Sequence, residues 1–343
     1  MRINPSTPPS TSGLSSRRKL VQINEQAEAA RVELSANPEI RAIPFERGVD
    51  RSRFWIPENL THLYHLPVYQ EFTHAERLFY NQAFALMVVE QSVLFEEQLS
   101  SFIRRAFLHS KKAIRKLPSE LKEGIDHFLR EEVEHTDLFW KLAHASDSAY
   151  QGQRVYRYYR PKLIDKLATQ AILSFPRLAI LWTWLSLYGE EKFLLNYKEI
   201  RKASKSPQTA IDPLHDAVHY WHMVDEARHV QMDEIFVQIC WDPAPQWLKN
   251  INLALLKRVF RSFVVKSNSA WSLWNIVVEQ NPAMGRFNAR VKHDLQNLGA
   301  TRSYQEIMTS RSSIPRSAHL FDARPEFNDF ESVLPSYQRR SPA

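Results

Sequence analysis

Two Glu-x-x-His motifs stand out in this chain: Glu132-Val133-Glu134-His135 and Glu226-Ala227-Arg228-His229, the second preceded by His222. On a helix, a spacing of three or four residues sets side chains on one face, one turn apart. Carboxylate and imidazole donors suit iron or manganese, and also zinc, which does no redox work. Two such faces meeting in a bundle core, with a Glu added by each of two further helices, can hold two metal ions.

The neighbours of these residues decide whether the faces are buried. Glu132 shares its face with Ile125, Phe128, Leu129, His135, Thr136 and Phe139, a stripe otherwise fit for a core. An unpaired charge buried there is costly, and a metal removes the cost. A basic partner for Glu132 and a satisfied core histidine at 135 would explain either residue alone. They do not explain why a second helix repeats the pattern, with His222, Glu226 and His229 on one stripe beside Val218 and Asp233. His215 and His219 continue that stripe and read as packing residues or pocket liners.

Two further carboxylates are needed. Glu96 lies on an apolar stripe with Ala85, Val89, Ser92, Leu99, Ile103 and Phe107, and ranks ahead of Glu97 and then Glu90. Glu190 and Glu191 are both open for the other position, with the small Gly189 favouring Glu190 by leaving room beside a metal. The metal set is therefore Glu96, Glu132, His135, Glu190, His222, Glu226 and His229, with no catalytic residue beyond the ligands. Four glutamates and neutral histidines balance two Fe(II) ions; without metal, the carboxylates would have to take up protons or admit water. Metal-bound histidines commonly donate their second N–H to an acid. Asp225 is expected to orient His135, and Glu131 to orient His229.

The elements that must position these groups read as helices throughout, which makes the fold class all-α. Long helices are expected from Thr73 to His109, from Pro118 to Ser146, from Pro176 to Lys202 and from Asp212 to Cys240. Asp212-Pro213 supplies an N-cap followed by proline in the first turn. The short turn between the first two makes them antiparallel neighbours. Three more follow at about 244–266, 268–280 and 282–298. Residues 1–20 are Ser/Pro/Thr-rich and expected to be disordered. Residues 21–310 form a single domain with the metal core at about 73–240, and 311–343 a C-terminal extension with little periodicity.

Composition narrows the function class. Seven glycines in 343 residues argue against Gly-rich phosphate loops, and the lone Cys240 excludes disulfide, iron–sulfur and thiolate-zinc frameworks. The charge of +7 is scattered, which fits a solvated surface better than a nucleic-acid interface, though an acidic electron donor or carrier is compatible with it. The start lacks a secretion signal. The longest apolar run, Leu178–Tyr188, falls short of the roughly 20 residues of a membrane span. A soluble, cytoplasmic protein is expected, contacting neither membrane nor nucleic acid.

Glu131-Glu132-Val133-Glu134-His135 and His222-Met223-Val224-Asp225-Glu226-Ala227-Arg228-His229 resemble the ferritin-like di-iron oxygenases, most closely the arylamine N-oxygenases typified by p-aminobenzoate N-oxygenase. The resemblance spans about residues 75–240. It implies a seven-ligand set of four Glu and three His, in which His222 is the additional histidine that desaturases and ferritins lack. At the third helix the spacing to the fourth is longer than in the family, which leaves Glu190 and Glu191 open. It further implies a ferritin-like bundle, two Fe ions, O2 as co-substrate, an external electron donor and an amine substrate, free or carrier-tethered, oxidised to hydroxylamine or nitro product. A homodimer is common in similar bundles. Phe95, Phe139, Trp182 or Trp184, Tyr188 and Phe193 are candidate pocket walls, and Arg104 a candidate grip for a substrate carboxylate. C–H hydroxylation or desaturation on the same centre, and ferroxidase or iron-storage activity, are the alternatives.

Overall fold

The computed structural model describes residues 11–150, 153–161, 163–175, 180–264 and 268–338. Among these the secondary structure is helical, with no strand. The α-helices are α1 (Thr11–Ala36), α2 (His74–Phe107), α3 (Lys111–Ile114), α4 (Ser119–Ser146), α5 (Leu163–Ser174), α6 (Leu181–Ala203), α7 (Pro213–Phe236), α8 (Gln246–Val264), α9 (Asn268–Gln280), α10 (Asn288–Asn297), α11 (Arg302–Thr309) and α12 (Pro315–Asp322).

Local chemistry starts the long helices where the sequence indicated. Thr73 and Glu76 form a reciprocal capping box at the head of α2. Asp212 accepts from the His215 amide at the head of α7, with Pro213 behind it. Pro118 sits one place outside α4, as its N-cap, rather than inside the first turn. At its far end α7 runs into a π-turn, Val237–Trp241, which carries the rod past Cys240. Residues 176–179, where the third long helix was expected to begin, lie outside the described residues. The helix α5 was not foreseen.

Helices α2, α4, α6 and α7 form the central four-helix bundle of a ferritin-like fold. Directions follow from cross-contacts. Glu96 meets Thr136 while Glu90 meets Tyr150, so α2 and α4 run antiparallel. Phe128 meets Phe236, His135 meets Glu226 and Phe139 meets His222, so α4 and α7 are antiparallel too. Ser186 meets Asp233 and Tyr197 meets Tyr220, which sets α6 against α7 in the same sense. The helices α4 and α6 are therefore parallel, and the chain between them is a long crossover containing α5.

The flanks complete the core. Helix α1 lies against α4 and α7 and buries Leu20, Ile23 and Ala27. The stretch expected to be disordered up to residue 20 is helical from Thr11. Ser16 donates to Gln238 and Arg17 pairs with Glu120, so tertiary contacts override a composition poor in apolar residues. Residues 1–10 lie outside the described residues.

The C-terminal stretch also departs from its expected character as a tail. Ile314, Phe321, Phe327, Phe330 and Tyr337 are buried with Trp184, Trp241 and Phe260. Prolines at 315, 325 and 335 cut it into short turns, so its burial carries no helical period.

By length and composition α2 is also long and apolar enough to cross a membrane, the one such helix among the described residues, with 61% of its most apolar window buried in the protein. The apolar run from Leu178 was thus not the strongest such signal.

Gly189 on α6 has a role different from the one expected. A Cβ at this position would lie 2.4 Å from Cζ of Phe95, so the missing side chain makes room for that ring and not for a metal. Gly→Ala in an unconstrained helix stabilises by about 1 kcal/mol. Here Gly189→Ala should instead destabilise the metal-free protein, by about 1–3 kcal/mol from overpacking. Adding Phe95→Leu should recover most of the loss. Urea denaturation of the two single variants and the double variant measures the coupling.

Candidate metal centre

Each central helix delivers its acids and imidazoles to one level of the bundle. Helix α2 brings Glu96; α4 brings Glu132 and His135; α6 brings Glu190; α7 brings His222, Glu226 and His229. All seven are at most 2% exposed.

Six of the seven converge in two overlapping groups. Glu96, His135, His222 and Glu226 offer donor atoms that all lie within 4.8 Å of one another, and so do Glu132, His135, Glu226 and His229. Glu226 and His135 belong to both. His222 Nε2 is 2.8 Å from Glu226 and 3.0 Å from Glu96. His229 Nδ1 is 3.0 Å from Glu132 and 3.4 Å from Glu226, and His135 Nδ1 is 3.2 Å from Glu226. Glu190 stands outside both groups. It is fully buried, and neither of its carboxylate oxygens has a hydrogen-bond partner.

The alternatives for the glutamates separate on their contacts. Glu97 is exposed and accepts from the Tyr156 hydroxyl. Glu90 is buried but saturated by the Tyr150 hydroxyl and the backbone N–H groups of Arg157, Tyr158 and Tyr159. Glu191 accepts from the backbone N–H of Arg316 and from the N–H and hydroxyl of Ser317, capping the first turn of α12. Only Glu96 and Glu190 of these candidates keep their carboxylates buried and uncommitted to a backbone cap.

The imidazoles are held from behind. His135 Nε2 faces Asp225 at 3.3 Å and His229 Nε2 faces Glu131 at 3.0 Å, the crosswise pairing expected from the sequence. The residue before each motif glutamate is rotated about 100° round its helix, so it reaches the histidine of the opposite, antiparallel rod. An Nε2–H donating to an acid leaves the Nδ1 lone pair pointing at the carboxylates.

That arrangement sets acceptor against acceptor. Both oxygens of Glu132 and Glu226, and Nδ1 of His135 and His229, lack hydrogen-bond partners although they are buried and close together. A cation, or protons, must lie between such atoms for the site to be tolerable. The protonation tendencies say the same. Burial, and then the Glu132 charge, raise Glu96 well above the usual carboxylate range. Burial also raises Glu132. Burial works against charged His135 and His229, yet the facing acids hold both well above the ordinary histidine range. Glu226 is held low, against burial, by the His229 and His135 charges. Burial and the neighbouring imidazoles push His222 well below its usual range, which keeps it neutral as a ligand must be. The donor set of carboxylates and neutral imidazoles fits a pair of divalent ions such as Fe(II).

Other expectations divide. His215 stacks on Trp55 and meets Ser146, while burial lowers His219 to about 4; neither joins a metal group. Phe139 and Phe193 set their rings against His222, with Phe95 against Phe193. Trp184 and Tyr188 instead face the C-terminal cluster with Phe321 and Phe260. Trp182 packs in the cluster around Phe128 and Phe236. Arg104 is exposed on the solvent face of α2 and is not a grip inside the core.

Sequence reasoning passed over the cations behind the acids. Arg228 joins Glu131 and Asp225, at 2.8 and 2.6 Å, and Arg41 holds Asp225 through both nitrogens of its fork. Arg228 could have been found from its spacing of three from Asp225; Arg41 lies 184 residues away and left no local signal.

A comparison with curated proteins finds no match. Residues 26–307 match the family model described as P-aminobenzoate N-oxygenase AurF. That match covers most of the chain and all four central helices, and with it the protein belongs to the p-aminobenzoate N-oxygenase family of oxygenases.

Proposed function

We propose that the protein is a di-iron monooxygenase that uses O2 to oxidise the nitrogen of an amine to hydroxylamine and on toward the nitro level. The observation that carries this reading is the convergence of buried carboxylates and imidazoles in two overlapping groups, with both oxygens of Glu132 and of Glu226 left without hydrogen-bond partners. The ligands are Glu96, Glu132, His135, Glu190, His222, Glu226 and His229. Bound iron would supply the redox chemistry: one oxygen atom of O2 goes to nitrogen and the other leaves as water, with two electrons from an external donor for each amine taken to hydroxylamine.

The chain's own part is to hold, orient and exclude. Asp225 and Glu131 fix the ring planes of His135 and His229. Phe139 and Phe193 cover His222 on its flanks and keep that side apolar, a surface suited to an aryl or other apolar amine. Thr136 Oγ1 lies 3.3 Å from Glu96 and donates to it, holding that carboxylate toward His222. Both oxygens of Glu190 are free to meet a cation, because Glu191 carries the structural load of α12 instead.

Anaerobic reconstitution with Fe(II) should load about two ions per chain, measured by elemental analysis. Exposure of the reduced protein to O2 with a panel of aryl and alkyl amines should yield hydroxylamine and nitro products. Hydroxylated carbon products alone would refute the nitrogen assignment while leaving the centre intact.

His222→Ala should lose tight binding of one ion and lower turnover at least ~100-fold, since even residues behind a ligand cost 10–100-fold. Wild-type turnover in that variant would remove His222 from the ligand set.

Glu190→Gln and Glu191→Gln should part ways. The first should weaken iron binding while leaving the metal-free protein about as stable as before, because the Glu190 carboxyl has no hydrogen-bond partner to lose. The second should cost about 1–3 kcal/mol of stability and still bind two ions. Calorimetry of the metal-free proteins, with metal titration, distinguishes them.

A further inference from the structure

We propose that Arg41 is a positioning residue for the metal centre, through which docking of the N-terminal segment fixes His135. The proposal rests on the metal-binding reading above. Arg41 ends the short turn Pro38–Arg41, which follows α1 and stands outside the four-helix bundle.

The geometry singles it out. Arg41 Nη1 donates to Asp225 Oδ2 at 2.9 Å and Nη2 to Oδ1 at 2.7 Å, a two-point clamp that fixes the carboxylate plane. Asp225 Oδ2 is the oxygen that faces His135 Nε2. The other cation on this acid, Arg228, uses a single nitrogen, which it shares between Asp225 Oδ1 and Glu131. Arg228 alone would leave the Asp225 carboxylate able to turn about its last bond and carry Oδ2 away from the imidazole. Glu131, which faces His229, has no such dependence on Arg41.

The clamp is itself placed by tertiary packing. Helix α1 lies on α4 and α7, and its end delivers the turn to Asp225. The Arg41 guanidinium lies over the Trp221 ring, 5.1 Å from its centre. A surface pocket of about 150 Å³ opens beside it, with His135 and Asp225 in its lining. Arg41 therefore lines the same pocket as the back of one ligand. The two halves of the centre are unequal: His229 is held from within the bundle, His135 from outside it.

The full-length protein loaded with Co(II) tests this. Titration gives the two metal affinities, and proton NMR shows the exchangeable, paramagnetically shifted Nε2–H signals of His135 and His229. Glu131→Gln identifies the His229 signal as the one it moves, and Asp225→Asn identifies the His135 signal, apart from any N–H of His222. Arg41→Gln is expected to shift or broaden the His135 signal alone and to weaken one of the two binding steps at least about tenfold. Arg41→Lys, which keeps the charge and loses the fork, should fall between. Circular dichroism verifies the fold; if Arg41→Gln does not fold, Arg41→Lys decides. Unchanged signals and affinities, or equal movement of both signals, would overturn the proposal. A wild-type protein that binds no metal would overturn the metal reading itself, and this proposal with it.

Discussion

Carboxylate oxygens and imidazole lone pairs face one another here where water does not reach. Everything else in the structure answers to that contact. Four acids in one apolar core repel each other and lose their hydration, and three imidazoles crowd beside them, of which the acids draw His135 and His229 toward the charged form. Two divalent cations cancel four carboxylates without protons. The bundle is thus organised around a place that its own side chains cannot satisfy, with Glu132, Glu226 and Glu190 left without hydrogen-bond partners.

Helix geometry makes the arrangement economical. Ligands three or four residues apart share a face, and their sequence neighbours turn toward the adjoining rod. In the antiparallel pair α4 and α7 the same five-residue pattern therefore serves twice: its glutamate and histidine face inward, and its leading acid supports the partner helix's histidine. Arg228 links the two supporting acids, so the polar layer behind the ligands is continuous. Apolar rings close the other side, Phe128 stacked on His229 and Phe139 and Phe193 against His222.

The bundle is held in register by its ends as well as its middle. The N-terminal segment contributes a helix packed on α4 and α7 and a guanidinium on Asp225. The C-terminal segment hangs its helix α12 on Glu191, one residue from the buried Glu190. Both segments thus bear on the central helices within a turn of the candidate ligands, and a disturbance far away in sequence has a short physical route to the centre.

The sequence by itself determined the long central helices and the chemistry of their faces. Capping signals at Thr73 and Asp212 and the apolar stripes around Glu96, Glu132 and Glu226 depend on neighbours within a few turns, so they are written locally. The family likeness came from the same local strings at residues 131–135 and 222–229. Only tertiary structure distinguishes adjacent acids. Glu190 and Glu191 have nearly the same surroundings along the chain, and what separates them is a helix more than a hundred residues later that occupies one and leaves the other free. It also decided the fate of both terminal segments, the first a long helix packed on α4 and α7 and the last a run of short, aperiodic turns, and it placed Arg41. Charge pairing acts across space with no regard for chain distance, so no period or motif could announce it.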